Sequence, residues 1–232
     1  MAPLSFKLIL SDSAGFFRDN LVQIVTLCAP FLIAGAFINE TLLSNADTAS
    51  DSGSIYLLSM ALNFVLYPVY TIALVLLMAR RAQQERPSNA QLISEALGRY
   101  LPFLLLSIIG MGMVWCGFLL FIFPGVWLAV RLSFAEFFLV LDRLDPREAL
   151  VQSFRITRNH FWVILTALAL FALPIFILTI LVGNMLRAAE AGPVMNIIAD
   201  AGISFLSLFM HVVLFRIFMQ VRYADGPSPD VL

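Results

Sequence analysis

The stretch "PGVWLAVRLSFAEFFLVLDRLDPREALVQSFRITRNHFW", Pro124 to Trp162, decides the fold. It opens with an apolar run, turns charged at Asp142 to Arg147, continues as an amphipathic segment and returns to apolar residues at Phe161. A soluble domain has no use for such a run ended by a basic, helix-starting segment. A membrane helix followed by a helix lying along the headgroups explains both halves. The whole chain agrees: 61% of its 232 residues are apolar and 12% are charged, against about 45–50% and 25% in soluble domains.

Six apolar stretches, at about 21–39, 55–79, 101–123, 125–141, 161–183 and 201–221, are read as transmembrane spans within a single integral membrane domain over 1–232. The fourth is shortest, its reach about 25 Å at 1.5 Å per residue, so it needs polar ends or a locally thinner bilayer. Pro124 and Gly125 are expected to break the third span from the fourth, making a helical hairpin. No basic, short apolar and small-residue pattern of a secretory signal opens the chain, so the N-terminus is read as mature. Cys28 and Cys116 fall inside apolar segments, with no CxxC or metal-ligand spacing, and are read as packing residues.

Charge orients the spans. Lys7 and Arg18 precede the first. Arg80, Arg81, Arg86 and Arg99 lie between the second and third, Arg143, Arg147, Arg155 and Arg158 between the fourth and fifth, and Arg222 after the sixth. The other side carries Glu40 to Ser54, the Pro124–Gly125 turn, and Asn184 to Val194 with Arg187 alone. Both termini are therefore expected in the cytoplasm.

Three segments, about 4–19, 88–100 and 146–160, read as amphipathic interfacial helices on that side. Asp145-Pro146-Arg147-Glu148 has the form of a helix start, with Asp145 capping and Glu148 reaching back. Beyond it Leu150, Val151, Phe154 and Phe161 share one face, and Glu148, Gln152, Arg155 and Asn159 another. Ser88 and Gln91 form an S-x-x-Q capping box before Leu92, Ile93, Ala96, Leu97 and Tyr100. Arg18, Arg99 and Arg158 each stand just before an apolar run. The chain can thus be divided into three units of surface helix plus two-span hairpin, or read as a polytopic protein with ordinary basic anchors. Arg18, Arg99, Arg147, Arg155 and Arg158 are the candidate contacts to anionic headgroups.

"FFRDN" near the N-terminus, "FPGVWLAVRLSFAEFFLVLD" in the centre and "EALVQSFRITRNHFW" after it resemble the YciC family of bacterial inner-membrane proteins, and the membrane region of some glycerophosphodiester phosphodiesterases. The resemblance runs over nearly the whole chain and implies a six-span protein of the bacterial inner membrane. The phosphodiesterase catalytic domain has no counterpart here, so that activity does not carry over. Where Glu136 stands the family pattern often has proline or a small residue, which makes any role of Glu136 particular to this chain.

Arg131 and Glu136 are the charges inside the fourth span, and intramembrane charge marks a site by default. Arg131 lies about 8 Å from the outer turn by helical rise and is expected to snorkel outward. Glu136, about 15 Å deep, is too short to do so and needs a proton or a partner. The two are about 140° apart around the helix, so they do not pair within it. His211, near the middle of the sixth span, is the candidate partner, and Asn63 adds a polar group to the second span beside Tyr67, Pro68 and Tyr70. Arg131, Glu136, His211 and Asn63 form the candidate intramembrane polar site.

HExxH, GxSxG and a phosphate-binding glycine loop are all missing from the sequence, so no enzymatic activity, metal or cofactor is expected. The favoured reading is a membrane-organising or accessory protein whose partners are lipids and other membrane proteins, with no nucleic acid. The alternative is a transporter or lipid-translocating protein with a polar path near Glu136.

Overall fold

The computed structural model describes residues 6–44 and 49–224; positions 4 and 5 of the first expected surface helix lie outside them. The described residues form ten helices and no strand. They are α1 Phe6–Asp19, α2 Leu21–Ser44, α3 Ala49–Ala82, α4 Asn89–Gly98, α5 Tyr100–Leu120, α6 Ile122–Leu132, α7 Ala135–Asp142, α8 Pro146–Ile156, α9 Phe161–Ala188 and α10 Pro193–Ala224. Six segments are long and apolar enough to cross a bilayer: α2, α3, α5, α6 with α7, α9 and α10. The chain is a multi-pass membrane protein.

The third apolar stretch does not run to Phe123. A helix continued through Pro124 would bring the proline ring against the Leu120 carbonyl and lose an N–H. The chain instead turns one residue beyond Leu120, at Phe121, whose backbone is extended. α6 starts at once with Pro124 in its first turn, where its missing N–H costs nothing. Gly125 serves packing rather than the turn. A Cβ on Gly117 would sit 2.8 Å from the Gly125 Cα, so the two hairpin limbs touch through backbone.

The fourth stretch, expected as one helix, is broken. At Ser133 the hydroxyl turns back to the Val130 carbonyl (2.8 Å) and competes with the helical ladder. α7 begins two residues later, at Ala135.

The densest packing lies toward the arginine-rich end. Ile72 to Met78 of α3 are all buried, and α3 packs there on α2, α4 and α7. Beside them Phe134, Phe137 and Phe138 stack edge-on or tilted against Phe215 and Phe218 of α10, at 5.1 to 5.7 Å between centroids. Toward the other end Tyr56, Leu57, Phe176 and Leu181 are exposed, as suits helices solvated by acyl chains, which need no burial to satisfy apolar surface.

The capping box at α4 forms as read, with Ser88 accepting from the Gln91 N–H and Gln91 reaching back to the Ser88 N–H. The one at α8 does not. Pro146 takes the first helical position, but the Asp145 side chain makes no capping bond.

Candidate functional site

Glu136 stands in the first turn of α7, immediately after the break. Tyr67 of α3 donates its hydroxyl to Glu136 Oε1 at 2.7 Å and lies 3.5 Å from His211 Nε2 of α10. His211 Nδ1 is 3.4 Å from the Ser207 carbonyl, one turn back. The phenol's single hydrogen is given to Glu136, so His211 joins Tyr67 as a donor, through an Nε2–H that the phenolic oxygen accepts. Glu136 and His211 therefore meet through Tyr67 rather than by the direct bond expected from their depth. Pro68 follows Tyr67 and has no N–H to return to the Phe64 carbonyl, which loosens α3 where the cluster sits.

These three side chains line a cleft of about 370 Å³ whose other walls carry Ser107 and Ser133 and are elsewhere apolar, including Met111 and Trp115 of α5, Leu168 of α9 and Leu214 of α10. A second cavity of about 250 Å³ lies between α2, α3 and α10. Phe64 and Tyr67 line both.

Asn63 belongs to the second cavity and not to the Glu136 cluster. Its amide donates to Asn39 Oδ1 (2.7 Å) and to the Ser59 carbonyl (3.0 Å). Ser59 donates to the same Asn39 oxygen, and the Asn39 amide donates to Asp200 Oδ2 (2.8 Å). Asn39 thus uses both ends of its amide to tie α2 to α3 and α10. Gly35 makes room: a Cβ there would stand 2.4 Å from Asn63 Oδ1.

Arg131 also stands apart, and it does not snorkel outward. Its Nη1 donates to the Phe154 carbonyl of α8 (3.1 Å), and its guanidinium lies 5.2 Å from the Trp127 ring centroid. α8 is fastened to the same break. The Phe134 N–H donates to Ser153 Oγ (3.2 Å), and Ser153 donates to the Arg131 carbonyl (2.6 Å). One hydroxyl thus serves two of the backbone groups freed by the interruption. Ala149, Ser153 and Thr157 form the buried stripe of α8, whereas Val151, expected on its apolar face, is exposed.

Of the five candidate headgroup arginines, Arg18, Arg147, Arg155 and Arg158 are exposed. Arg99 turns inward and donates to the Val140 carbonyl of α7. Arg222 pairs with Asp142 at 2.9 Å.

The structure brings Glu136 and His211, singled out in the sequence by helical rise, to the same phenol. The sequence signals pass over Ser153, Asn39 and Asp200. Ser153 had a readable sign: with Ala149 and Thr157 it makes a small-residue row four apart, the spacing of a closely packed helix face.

A family model described as an uncharacterised protein family (UPF0259) matches residues 54–220. No curated protein and no solved structure matches the chain.

Proposed function

This chain belongs to the uncharacterised protein family UPF0259, and from that premise we propose that it is a non-enzymatic protein of the bacterial inner membrane that binds an amphipathic molecule from the lipid phase. The observation that carries the reading is the trio of Tyr67, Glu136 and His211 set into a mainly apolar cleft. Apolar walls with a few convergent polar groups are the common form of a small-molecule site, and a polar headgroup or hydroxyl would take the place of solvent against Glu136. The resemblance to the YciC family and the arginine asymmetry support an inner-membrane protein with both termini cytoplasmic. In that orientation Arg18, Arg147, Arg155 and Arg158 meet anionic headgroups, each favourable by about 1 kcal/mol. The element order, a short helix before each long pair, supports a threefold unit.

Transport is the second reading, favoured by the sharing of Tyr67 between two cavities. A path through the protein would have its gate there.

Native mass spectrometry of the protein purified in mild detergent tests the first reading. One amphiphile is expected to be retained, and to be lost in Met111→Trp, which fills the cleft, with helicity and chromatographic profile unchanged. Retention unaltered in both Met111→Trp and Leu168→Trp would overturn it. Movement of the retained species across reconstituted vesicles would select the second reading over the first.

A further inference from the structure

From Ile108 to Val130 the chain carries no charged, hydroxyl, amide or imidazole side chain, and this stretch includes a turn. The other two hairpin ends on that side are rich in such groups, among them Glu40, Asn39 and Ser54 in one and Asn184, Arg187, Glu190 and Asn196 in the other. At the tip of the α5–α6 hairpin Leu119, Leu120, Phe121, Ile122 and Phe123 are between 70 and 83% exposed. No described element covers them.

Helical rise shows where an upright hairpin would end. The rings of Phe103 and His211 both lie beside Tyr67, at 6.0 and 6.4 Å, so those residues of α5 and α10 share a level. The Tyr100 hydroxyl, bonded to the Val65 carbonyl at 2.9 Å, places the start of α5 midway along α3 as well. Asp200 stands eleven residues beyond His211, about 16 Å, and marks the polar layer with Asn39. Phe121 stands eighteen residues beyond Phe103, about 27 Å. Upright, the hairpin would carry five large apolar side chains about 10 Å past that polar layer, into headgroups or water.

The packing points another way. α5 rests on α3, α7 and α8, and beyond Leu106 its only buried residue is Gly117, which faces Gly125 and Leu128 of α6. The turn pairs part of its backbone, the N–H groups of Ile122 and Phe123 having no partner among the described residues. The Phe121 N–H is bonded to the Gly117 carbonyl (3.0 Å), the Gly125 N–H to the Phe121 carbonyl (3.4 Å), and Pro124 has no N–H.

We infer that the α5–α6 hairpin is re-entrant: it leans away from the bundle, ends inside the hydrocarbon layer with Leu119 to Phe123 among acyl chains, and enters and leaves on the arginine-rich side. Orientation is unchanged, because a hairpin that returns and two complete spans bring the chain back to the same side. The positive-inside pattern is blind to the difference.

The test uses the full chain with Cys28 and Cys116 replaced by alanine, reconstituted in vesicles of phosphatidylethanolamine and phosphatidylglycerol. Nitroxides are placed singly at Leu119→Cys, Phe121→Cys, Phe123→Cys and, as an outer marker, Ala191→Cys. At all three tip positions collision with oxygen is expected to exceed collision with a water-soluble nickel chelate several-fold, with the order reversed at 191. Nickel access at position 121 equal to that at 191 would mean that the hairpin crosses. Poor access of both relaxants at the tip would mean that protein covers it, and either result overturns the inference. Three independent positions keep the result readable if one variant fails to fold.

Discussion

At the scale of single residues the structure turns on which hydroxyls serve buried acceptors. Tyr67 is the only donor bonded to Glu136 among the described residues, and a buried acceptor left without its donor costs about 1–3 kcal/mol. Tyr67→Phe is therefore expected to lower stability by that amount, read as a fall in the thermal unfolding midpoint in detergent. Glu136→Gln keeps an oxygen facing the phenol and is expected to cost under about 1 kcal/mol. An unfolding midpoint for Tyr67→Phe equal to that of the parent would show that Glu136 is satisfied from elsewhere. Glu136 stood out in the sequence because a carboxylate amid sixteen mostly apolar residues has no other explanation. Tyr67 did not, since a tyrosine in a membrane helix is ordinary until its partner is known.

The element whose reading changes most is α8. Periodicity establishes that it has two faces, but not whether the less polar one meets lipid or protein, because acyl chains and protein interiors are equally apolar. Size decides it: the buried row is Ala149, Ser153 and Thr157, residues small enough to let α8 lie close against α7. Ser153→Ala is expected to cost about 1–3 kcal/mol by stranding the Phe134 N–H and the Arg131 carbonyl, and Arg155→Ala, at an exposed position, within about 0.5 kcal/mol. Thermal unfolding of the two variants side by side checks the order, and a larger loss for Arg155→Ala would mean that headgroup contact rather than packing on the protein holds α8. Local signals were more legible. The Ser88–Gln91 capping box is decided within four residues and formed as read, whereas the break at Ser133 depends on a partner twenty residues away.

At the scale of the molecule, six long apolar stretches were legible because bilayer thickness demands a minimum length, and no soluble fold imposes it repeatedly. Neighbours were not legible. Hydropathy alone does not say that α10 sits among α1, α2 and α9, or that α5 turns from it to lie over α7 and α8. Orientation has its own check. Gln84, in the turn after α3, and Ala191, between α9 and α10, are expected to report opposite sides when cysteines there meet an impermeant maleimide in intact cells. Position 191 should label and position 84 should not; labelling of 84 from outside would invert the protein.

The serine that closes the break in the fourth apolar stretch has a consequence for biogenesis. The Phe134 amide leaves the ribosome nineteen residues before Ser153, a wait of about one to four seconds at ordinary synthesis rates. Until then the Phe134 amide has the Val130 carbonyl, one helical turn back, as its ordinary partner, so the stretch can run on as one helix. The break is therefore completed only once α8 has been made, after the stretch that contains it.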